Sequence, residues 1–459
     1  MISLKTLRRE DAAYLIQRVA DGDCCAVVGL SNTGKSDLLR SLADPEISAP
    51  LPGDDAGGFV FVYVDFNLML EATEQGFYEL ILRSLMEELS KTDPNAGFLP
   101  RLAEAYNTLV APPTAFQISL SFSEGLTAVC RSTPKSLVLL FDEFDEPFEQ
   151  IEGRVFLNLR ALKDKYRRRL TYVTATDRRL STIRRGRDVD EFVELFEPFT
   201  RFLGPLTRDD ADAVISWVAQ VEGYTFDGED RAFLYHHADG HLGLLMAVSR
   251  ALGEVTGEPV RDRGQDWLIH RQVREQLDRD LNVQGECRKL WEDLTEAQRD
   301  ALIGIVGSEE AIDDASLRAL RRKGIIRSVD GDSARGDEPM LFSPVFEAFV
   351  RRHRVTRRRR LEGVRVDVES GNVWVDGEQS ETLTELEYRL LLLLYGRLEQ
   401  IVDKYEIVEA VWGEEYIDQV DDARIDKLLS RLRAKIEPDV RNPRYVVTVR
   451  GRGYKLVNP

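Results

Sequence analysis

The sequence predicts a multidomain chain: an α/β layer built on a parallel sheet, a helical region after it, and two small domains that combine helices with a strand hairpin. Three observations lead there. A glycine loop, Gly29-Leu30-Ser31-Asn32-Thr33-Gly34-Lys35-Ser36, stands between the apolar run Cys24 to Val28 and the amphipathic run Asp37 to Leu42, giving the order strand, loop, helix. Far downstream, the continuous apolar run Ser136 to Phe141 delivers Asp142 and Glu143 at its end. Basic charge then gathers at the C-terminal end, where Arg424 to Lys455 holds ten Lys/Arg against only Asp426, Glu437 and Asp439.

At 459 residues the chain can form about three or four domains, each with its own core. A net charge of -18, spread evenly, would repel nucleic-acid phosphates, so the local basic clusters matter more than the sum. Cys24, Cys25, Cys130 and Cys287 have neither metal-ligand spacing nor a secreted framework and read as reduced core thiols. No apolar run approaches the ~20 residues that span a bilayer. The start, Met1-Ile2-Ser3-Leu4-Lys5, lacks the apolar core of a signal peptide. A cytoplasmic protein without a membrane partner is the expectation.

Residues 1–202 read as the nucleotide core. Leu7 to Val19 has helical spacing of apolar residues, ended by Asp21-Gly22-Asp23. In the loop that follows the next strand, Gly29 and Gly34 permit backbone angles closed to other residues, so that N–H groups, those of Asn32 and Thr33 among them, can surround phosphate oxygens. The new helix adds its positive end. Lys35 would reach the β- and γ-phosphates and Ser36 would ligate Mg²⁺. Phe59 to Val64 is a second buried strand, and Leu68 to Leu89 has helical periodicity. Pro, Gly and Asn interrupt Lys91 to Pro113, which reads as an exposed insertion. At the end of the Ser136 strand, Asp142 would hold magnesium through water and Glu143 would polarise the attacking water. Asp145 and Glu146 read as solvated acids at a helix start. Arg169 to Arg178 is another strand; Thr176 could orient the lytic water and Arg178 could face phosphate, with a plain polar strand end as the alternative for both. No Asn-Lys-x-Asp guanine signature is present, which favours ATP or ADP.

These motifs, with Phe141-Asp142-Glu143-Phe144, the Thr176 strand and Gly240-His241-Leu242-Gly243-Leu244-Leu245, resemble the STAND and archaeal-type branch of the AAA+ ATPases over roughly residues 5 to 350. The resemblance implies a P-loop NTPase with a helical lid. In that branch the last motif is usually Gly-x-Pro; Leu242 here replaces the proline. His241 could approach the nucleotide or merely cap a helix.

Residues 203–286 read as the lid: Leu206-Thr207-Arg208-Asp209-Asp210 opens a capped amphipathic helix, followed by helices over Asp230–His237 and Gly243–Leu252. Residues 287–356 read as a first winged helix. Thr295 and Gln298 form a capping box, Asp314–Lys323 is helical, Gly324–Arg327 is strand-like, Asp330–Asp337 is a turn and Met340–Ser343 a second strand. The resemblance implies that this domain packs on the lid rather than reads DNA. Arg351 to Arg360, rich in arginine, reads as a linker, either a solvated tether or a non-specific DNA contact.

Residues 357–459 read as the output domain. Val364, Val366 and Val368, then Val373 and Val375, alternate as a hairpin. Thr384-Glu385-Leu386-Glu387 caps an apolar helix to Leu398, and Lys404–Val411 is a second. On the third, Asp421–Ile436, Ile425, Leu428, Leu429 and Leu432 share one stripe, while Arg424, Lys427, Arg431 and Lys435 fall largely on the other, as a major-groove helix requires. Two strands follow with Arg452 between Gly451 and Gly453 at the tip. This stretch closely resembles the OmpR/PhoB-type winged-helix DNA-binding domain, through Leu383 to Glu387, Val411-Trp412-Gly413, Ser430 to Lys435 and Thr448 to Tyr454. The resemblance implies that Arg424, Lys427 and Arg431 approach bases or phosphates, that Arg433, Thr448, Arg450 and Tyr454 hold the backbone, and that Arg452 probes the adjacent minor groove.

The combined expectation is an α/β P-loop NTPase with a parallel sheet and helical lid, followed by two winged-helix domains: an ATP-binding transcription regulator whose nucleotide state controls binding to double-stranded DNA. A slow ATPase would serve as the switch, with Mg²⁺ as cofactor and RNA polymerase and an ATP-dependent homo-oligomer as further partners. The alternatives are a DNA-remodelling AAA+ ATPase of the loader or transposition/replication type, and an ATP-gated oligomerising sensor.

Overall fold

The computed structural model describes residues 7–44, 58–256, 266–307, 312–328, 339–361, 363–368, 370–416 and 420–458. The expected turn at Asp330–Asp337 and the first residues, Met1 to Lys5, lie outside these. Two compact units divide the chain, Met1–Val350 and Arg351–Pro459.

In the first unit, β1 (Cys25–Val28), β2 (Phe59–Asp65), β3 (Ser136–Asp142), β4 (Leu170–Thr176) and β5 (Thr200–Phe202) form one sheet in the order β2-β3-β4-β1-β5, and every neighbouring pair is parallel. Strands buried on both faces read as continuous apolar runs, which is why β1, β2, β3 and β4 were visible in the sequence, whereas β5, short and half-buried, was not. One face packs on α1 (Arg9–Asp21) and α2 (Lys35–Leu42) through Leu15, Val27, Leu39, Leu140 and Val173. The other packs on α3 (Glu74–Thr92), α4 (Leu99–Val110), α5 (Phe116–Ser132), the short α6 (Asp145–Gln150) and α7 (Gly153–Tyr166), where Phe77, Phe141, Phe144, Phe156 and Phe192 make a continuous aromatic cluster. Two single-turn helices, α8 (Leu180–Ile183) and α9 (Asp190–Val193), lead back to β5.

Two expectations for this core are corrected. The stretch Lys91 to Pro113 is not an exposed insertion: α4 occupies it and buries Leu102, Ala105 and Leu109. Pro100 falls within the first turn, where a missing N–H leaves no bond unmade, so it starts the helix rather than breaking it. The helix read from Leu68 begins only at Glu74, capped by the Thr73 hydroxyl, which accepts from Gly76 N–H.

Beyond β5 come α10 (Arg208–Glu222), α11 (Gly228–Ala238), α12 (Leu242–Thr256), α13 (Asp266–Leu277), α14 (Leu281–Glu292), α15 (Glu296–Gly307), α16 (Asp314–Arg322), the antiparallel pair β6 (Ile326–Ser328) and β7 (Pro339–Leu341), and α17 (Pro344–Leu361). The order helix, helix, strand, strand, helix from α15 onward is the one expected. Its apolar residues Leu302, Leu320, Ile326, Phe342 and Phe346 join Leu234, Leu245, Val283 and Leu290 of the preceding helices in a single core. The expected boundary at 286/287 therefore falls inside α14, and that at 356/357 inside α17. Trp291, at the end of α14, lies edge-on to Phe349 with ring centroids 6.3 Å apart and carries the Arg299 guanidinium 5.7 Å from its own centroid.

The second unit has its own core. A three-stranded antiparallel sheet, β8 (Val364–Val366), β9 (Val373–Val375) and β10 (Glu378–Gln379), precedes α18 (Glu385–Gly396), α19 (Lys404–Trp412), α20 (Asp422–Ile436) and the hairpin β11 (Val446–Val449) and β12 (Gly453–Leu456). The Thr384–Glu387 capping box is present, and the buried Glu387 also pairs with Lys435 at 2.8 Å. No helix among the described residues is long and apolar enough to cross a membrane.

Candidate functional site

The glycine loop joins the end of β1 to the start of α2. Its curvature rests on two residues in the left-handed region, Asn32 (φ 55°) and Gly34 (φ 91°), where glycine is unstrained and asparagine is tolerated. Gly29 is not in that region, contrary to expectation; it is needed for space. A Cβ there would stand 2.8 Å from Thr33 Oγ1 and 3.1 Å from Leu203 Cβ. The Lys35 ammonium donates to the carbonyls of Gly29 (2.8 Å) and Leu30 (3.2 Å) and pairs with Asp177 at 2.5 Å. From behind, the buried Arg8 guanidinium donates to the Thr33 carbonyl at 2.9 and 3.1 Å and to the Gly204 carbonyl at 2.7 Å. Gly34, which caps α2, supplies no side-chain acceptor, so the first N–H groups of α2 retain their capacity to bind an anion.

Helices α12 and α14 close over this loop. Ser31 donates to Asp293, its N–H to Oδ2 at 2.5 Å and its hydroxyl to Oδ1 at 3.0 Å. The Asn32 amide donates to both oxygens of Glu286 at 2.9 and 2.8 Å, and Gly243 N–H donates to the Asn32 carbonyl. Gly243 permits this approach, since a Cβ there would meet Glu286 Oε2 at 2.1 Å. Burial raises the Asp293 carboxyl above the ordinary aspartate range, and the Ser31 bonds oppose that shift.

A cavity of about 580 Å³ remains between loop and helices. Asn32, Gly34, Lys35, Ser36, Glu143 and Asp177 line its core side; Leu242, Met246 and Arg250 of α12 and Glu286 and Lys289 of α14 line the other. This lining mixes apolar, cationic and acidic side chains around a space of the size a nucleotide needs. Asp142 is buried at the end of β3. The Tyr63 hydroxyl donates to its Oδ2, while Oδ1 has no hydrogen-bond partner among the described residues. An open, buried carboxylate oxygen has the donor chemistry of a magnesium ligand, but Asp142 is not among the residues that line the cavity. Glu143, exposed and with φ 54°, is turned out of the strand line to the cavity edge; partial desolvation, then the neighbouring Asp142 charge, raises its pKa.

Three expected residues lie elsewhere. Thr176 is fully buried and its hydroxyl donates to the Arg178 carbonyl at 2.7 Å, so it closes the turn after β4 instead of facing a water. Arg178 lines a second cavity, of about 300 Å³, and not the first. His241 is buried at the start of α12, where Nδ1 accepts from Leu244 N–H; it caps the helix and stays outside the cavity. Asp145, read as solvated, instead accepts Asp177 N–H at 3.0 and 3.1 Å, and burial followed by the Asp177 charge pushes its pKa up to about 7. Arg8, Tyr63, Asp177, Glu286 and Asp293 were missed. Only Asp177, directly after the Thr176 strand, carried a positional signal.

In the second unit the face of α20 divides as expected. Arg424, Lys427 and Arg431 are exposed, as are Arg450 and Arg452 on the hairpin. The other expected contacts are engaged within the fold. Arg433 donates to the Val446 carbonyl (2.9 and 2.6 Å) and to the Thr448 hydroxyl (2.9 Å), tying α20 to β11. Tyr454 is buried and its hydroxyl donates to Asp426 at 2.6 Å, tying β12 to the same helix. Of the arginine-rich run, residues 351–361 continue α17 and do not form an irregular linker. The side chains of Arg357 to Arg360 lie outside the described set.

Residues 7–368 match the family described as Novel STAND NTPase 1, and residues 378–456 match that described as Transcriptional regulatory protein, C terminal. The DNA-binding response regulator MtrA of Mycolicibacterium smegmatis is 32% identical over 188 residues, 39% of this chain and 73% of the relative. The sensory transduction protein RegX3 of Mycobacterium bovis is 41% identical over 93 residues, 20% of this chain and 40% of the relative. A Walker-type ATPase of Pyrococcus abyssi aligns with a TM-score of 0.45 at 14% identity, over 76% of this chain and 96% of that one.

Proposed function

The chain belongs to the Novel STAND NTPase 1 family and carries a transcriptional regulatory C-terminal domain, and from that premise we propose a cytoplasmic regulator in which bound nucleotide sets the affinity for promoter DNA. The observation that carries this reading is the grip of α14 on the loop, through Asp293 on Ser31 and Glu286 on Asn32. Phosphate oxygens and these carboxylates compete for donors of the same loop, so nucleotide binding loosens these α14 contacts while the cavity still has room for the ligand. Because α14 shares its core with the elements from α10 to the start of α17, displacing it reshapes the region from which α17 departs.

In this reading Lys35 and the loop amides hold the phosphates of ATP or ADP, and Ser36 and Asp142 hold Mg²⁺, which neutralises phosphate charge. Glu143 polarises the attacking water in a slow hydrolysis that resets the switch. Arg424, Lys427 and Arg431 enter a major groove, with Arg450 and Arg452 at the flanking backbone and minor groove. RNA polymerase is the partner at the promoter, and ATP favours a homo-oligomer. A differential nucleotide affinity of ~1–3 kcal/mol between states changes DNA affinity about 5- to 150-fold.

The test is the promoter affinity of the full chain in apo, ADP and ATP forms. Wild type is expected to differ among the three by that factor. Lys35→Ala is expected to lose the nucleotide response and keep salt-sensitive DNA binding. Equal occupancy by all three wild-type forms would sink the reading. Glu143 at the cavity edge favours one second reading, a DNA-remodelling ATPase driven by turnover. Retained regulation in Glu143→Gln, which binds but hardly hydrolyses, supports the switch; its loss supports the motor.

A further inference from the structure

We propose that the cavity on the far side of Asp177 is a second ligand site, which takes a small phosphorylated molecule as an effector of the loop. The cavity measures about 300 Å³, and its wall brings Arg178, Arg179 and Arg185 from the segment after β4 together with Arg322 and Lys323 from the end of α16. Asp177 is the acid among the lining residues, and its carboxylate is already paired with Lys35. Such a concentration of cations around one cavity, in a chain of net charge -18, makes a local positive potential that attracts an anion. Lys323 gives two of its three donors to neutral acceptors, the Asp293 carbonyl at 3.1 Å and the Gln298 amide oxygen at 3.2 Å. Burial lowers its pKa, against the charges of Asp293 and Asp177, which raise it.

The remaining lining defines the ligand class. Guanidinium forks match phosphoryl oxygens, and Ser181 and Thr182 add hydroxyl donors. Val28, Phe202 and Leu203 supply an apolar wall for an organic body, and the Arg179 guanidinium already stacks 5.0 Å over the Phe202 ring. The position explains the effect. Asp177 lines both cavities, and the Lys323 ammonium holds the carbonyl of Asp293, the residue that grips Ser31. A phosphoryl group that draws Lys323 toward itself loosens Asp293 and so favours nucleotide. Binding stands on the cavity alone; the effect rests on the nucleotide reading above.

The probe is inorganic pyrophosphate, titrated calorimetrically into the full chain carrying Lys35→Ala, which disables the loop. One site is expected. Adding Arg178→Gln and Arg322→Gln should weaken it about tenfold or more, while Mg-ADP affinity in a chain with an intact Lys35 stays within about twofold. Arg322 is exposed, so Arg322→Gln alone, with a weaker loss, guards against misfolding. Pyrophosphate is then titrated against Mg-ADP in chains with and without the two glutamines. Competition at the loop is common to both, so a difference in apparent ADP affinity belongs to the cavity, and no difference overturns the effector role. Absence of pyrophosphate binding to Lys35→Ala, or unchanged binding after the glutamine substitutions, overturns the site. Displacement of pyrophosphate by a short DNA duplex reassigns the cavity to nucleic-acid backbone and overturns the small-molecule class. Normal Mg-ADP binding by Lys35→Ala would instead defeat the nucleotide reading and leave the cavity standing.

Discussion

At position 241 a histidine does the work that asparagine or serine does at most helix starts, and this makes one helix sensitive to acid. Its Nδ1 accepts the Leu244 N–H only while the ring is neutral, and burial pushes the His241 pKa down to about 4. His237, also buried, is lowered to about 4. The unfolded chain, with histidine near its ordinary 6.5, binds more protons across this window. Stability present above pH 6.5 is therefore lost as pH falls through about 4. His241→Asn keeps a strong cap and removes the titrating ring. Urea midpoints at pH 7 and pH 4.5 are expected to fall less in this variant than in wild type; equal falls would show that the ring is not responsible. The loop glycines and Lys35 were legible because glycine spacing and a single lysine form a local pattern. Asp293 was not, since it meets Ser31 from 262 residues away and nothing around it departs from an ordinary helix end.

Among the elements, α14 and α20 each hold something by their ends. Asp293→Asn leaves α14 in place but replaces a charged acceptor on Ser31 with a neutral one. Hydrogen bonds to charged groups contribute ~1.5–3 kcal/mol, so Mg-ATP affinity is expected to rise about tenfold, and calorimetric titration will read it directly. On α20, two arginines two residues apart have opposite duties. Arg431→Ala should leave the melting temperature unchanged, weaken DNA and reduce the salt slope by about 1. Arg433→Ala detaches β11 and should lower the melting temperature by a few degrees, with DNA affinity falling only through the displaced hairpin. Melting curves and salt-dependent anisotropy separate the two. The amphipathic division of α20 was visible in sequence as a helical stripe. That Arg433 turns back to Val446 was not, because a long side chain on the boundary of a polar face can reach either way.

For the molecule as a whole, the two compact units have separate apolar cores, so calorimetry is expected to resolve two transitions. Mg-ATP at a hundred times its dissociation constant should stabilise the transition of the Met1–Val350 unit by about 2.7 kcal/mol, and a larger shift in the other would contradict the assignment of the site. The expected boundary at 356/357 falls inside a helix for a physical reason. Residues 351–360 changed the charge abruptly but contain neither glycine nor proline, and arginine is a good helix former, so α17 runs on through them. Likewise nothing in the sequence separates lid from first small domain, because their apolar residues fill one core.

All five tryptophans of the chain stand at position 217 or later, leaving the nucleotide core without one. Trp291 is two residues from Asp293, with Phe349 and Arg299 both near its ring. Release of Ser31 by Asp293 would thus alter the polarity around an indole, and the emission colour of the unlabelled protein would follow whether the loop is held or free.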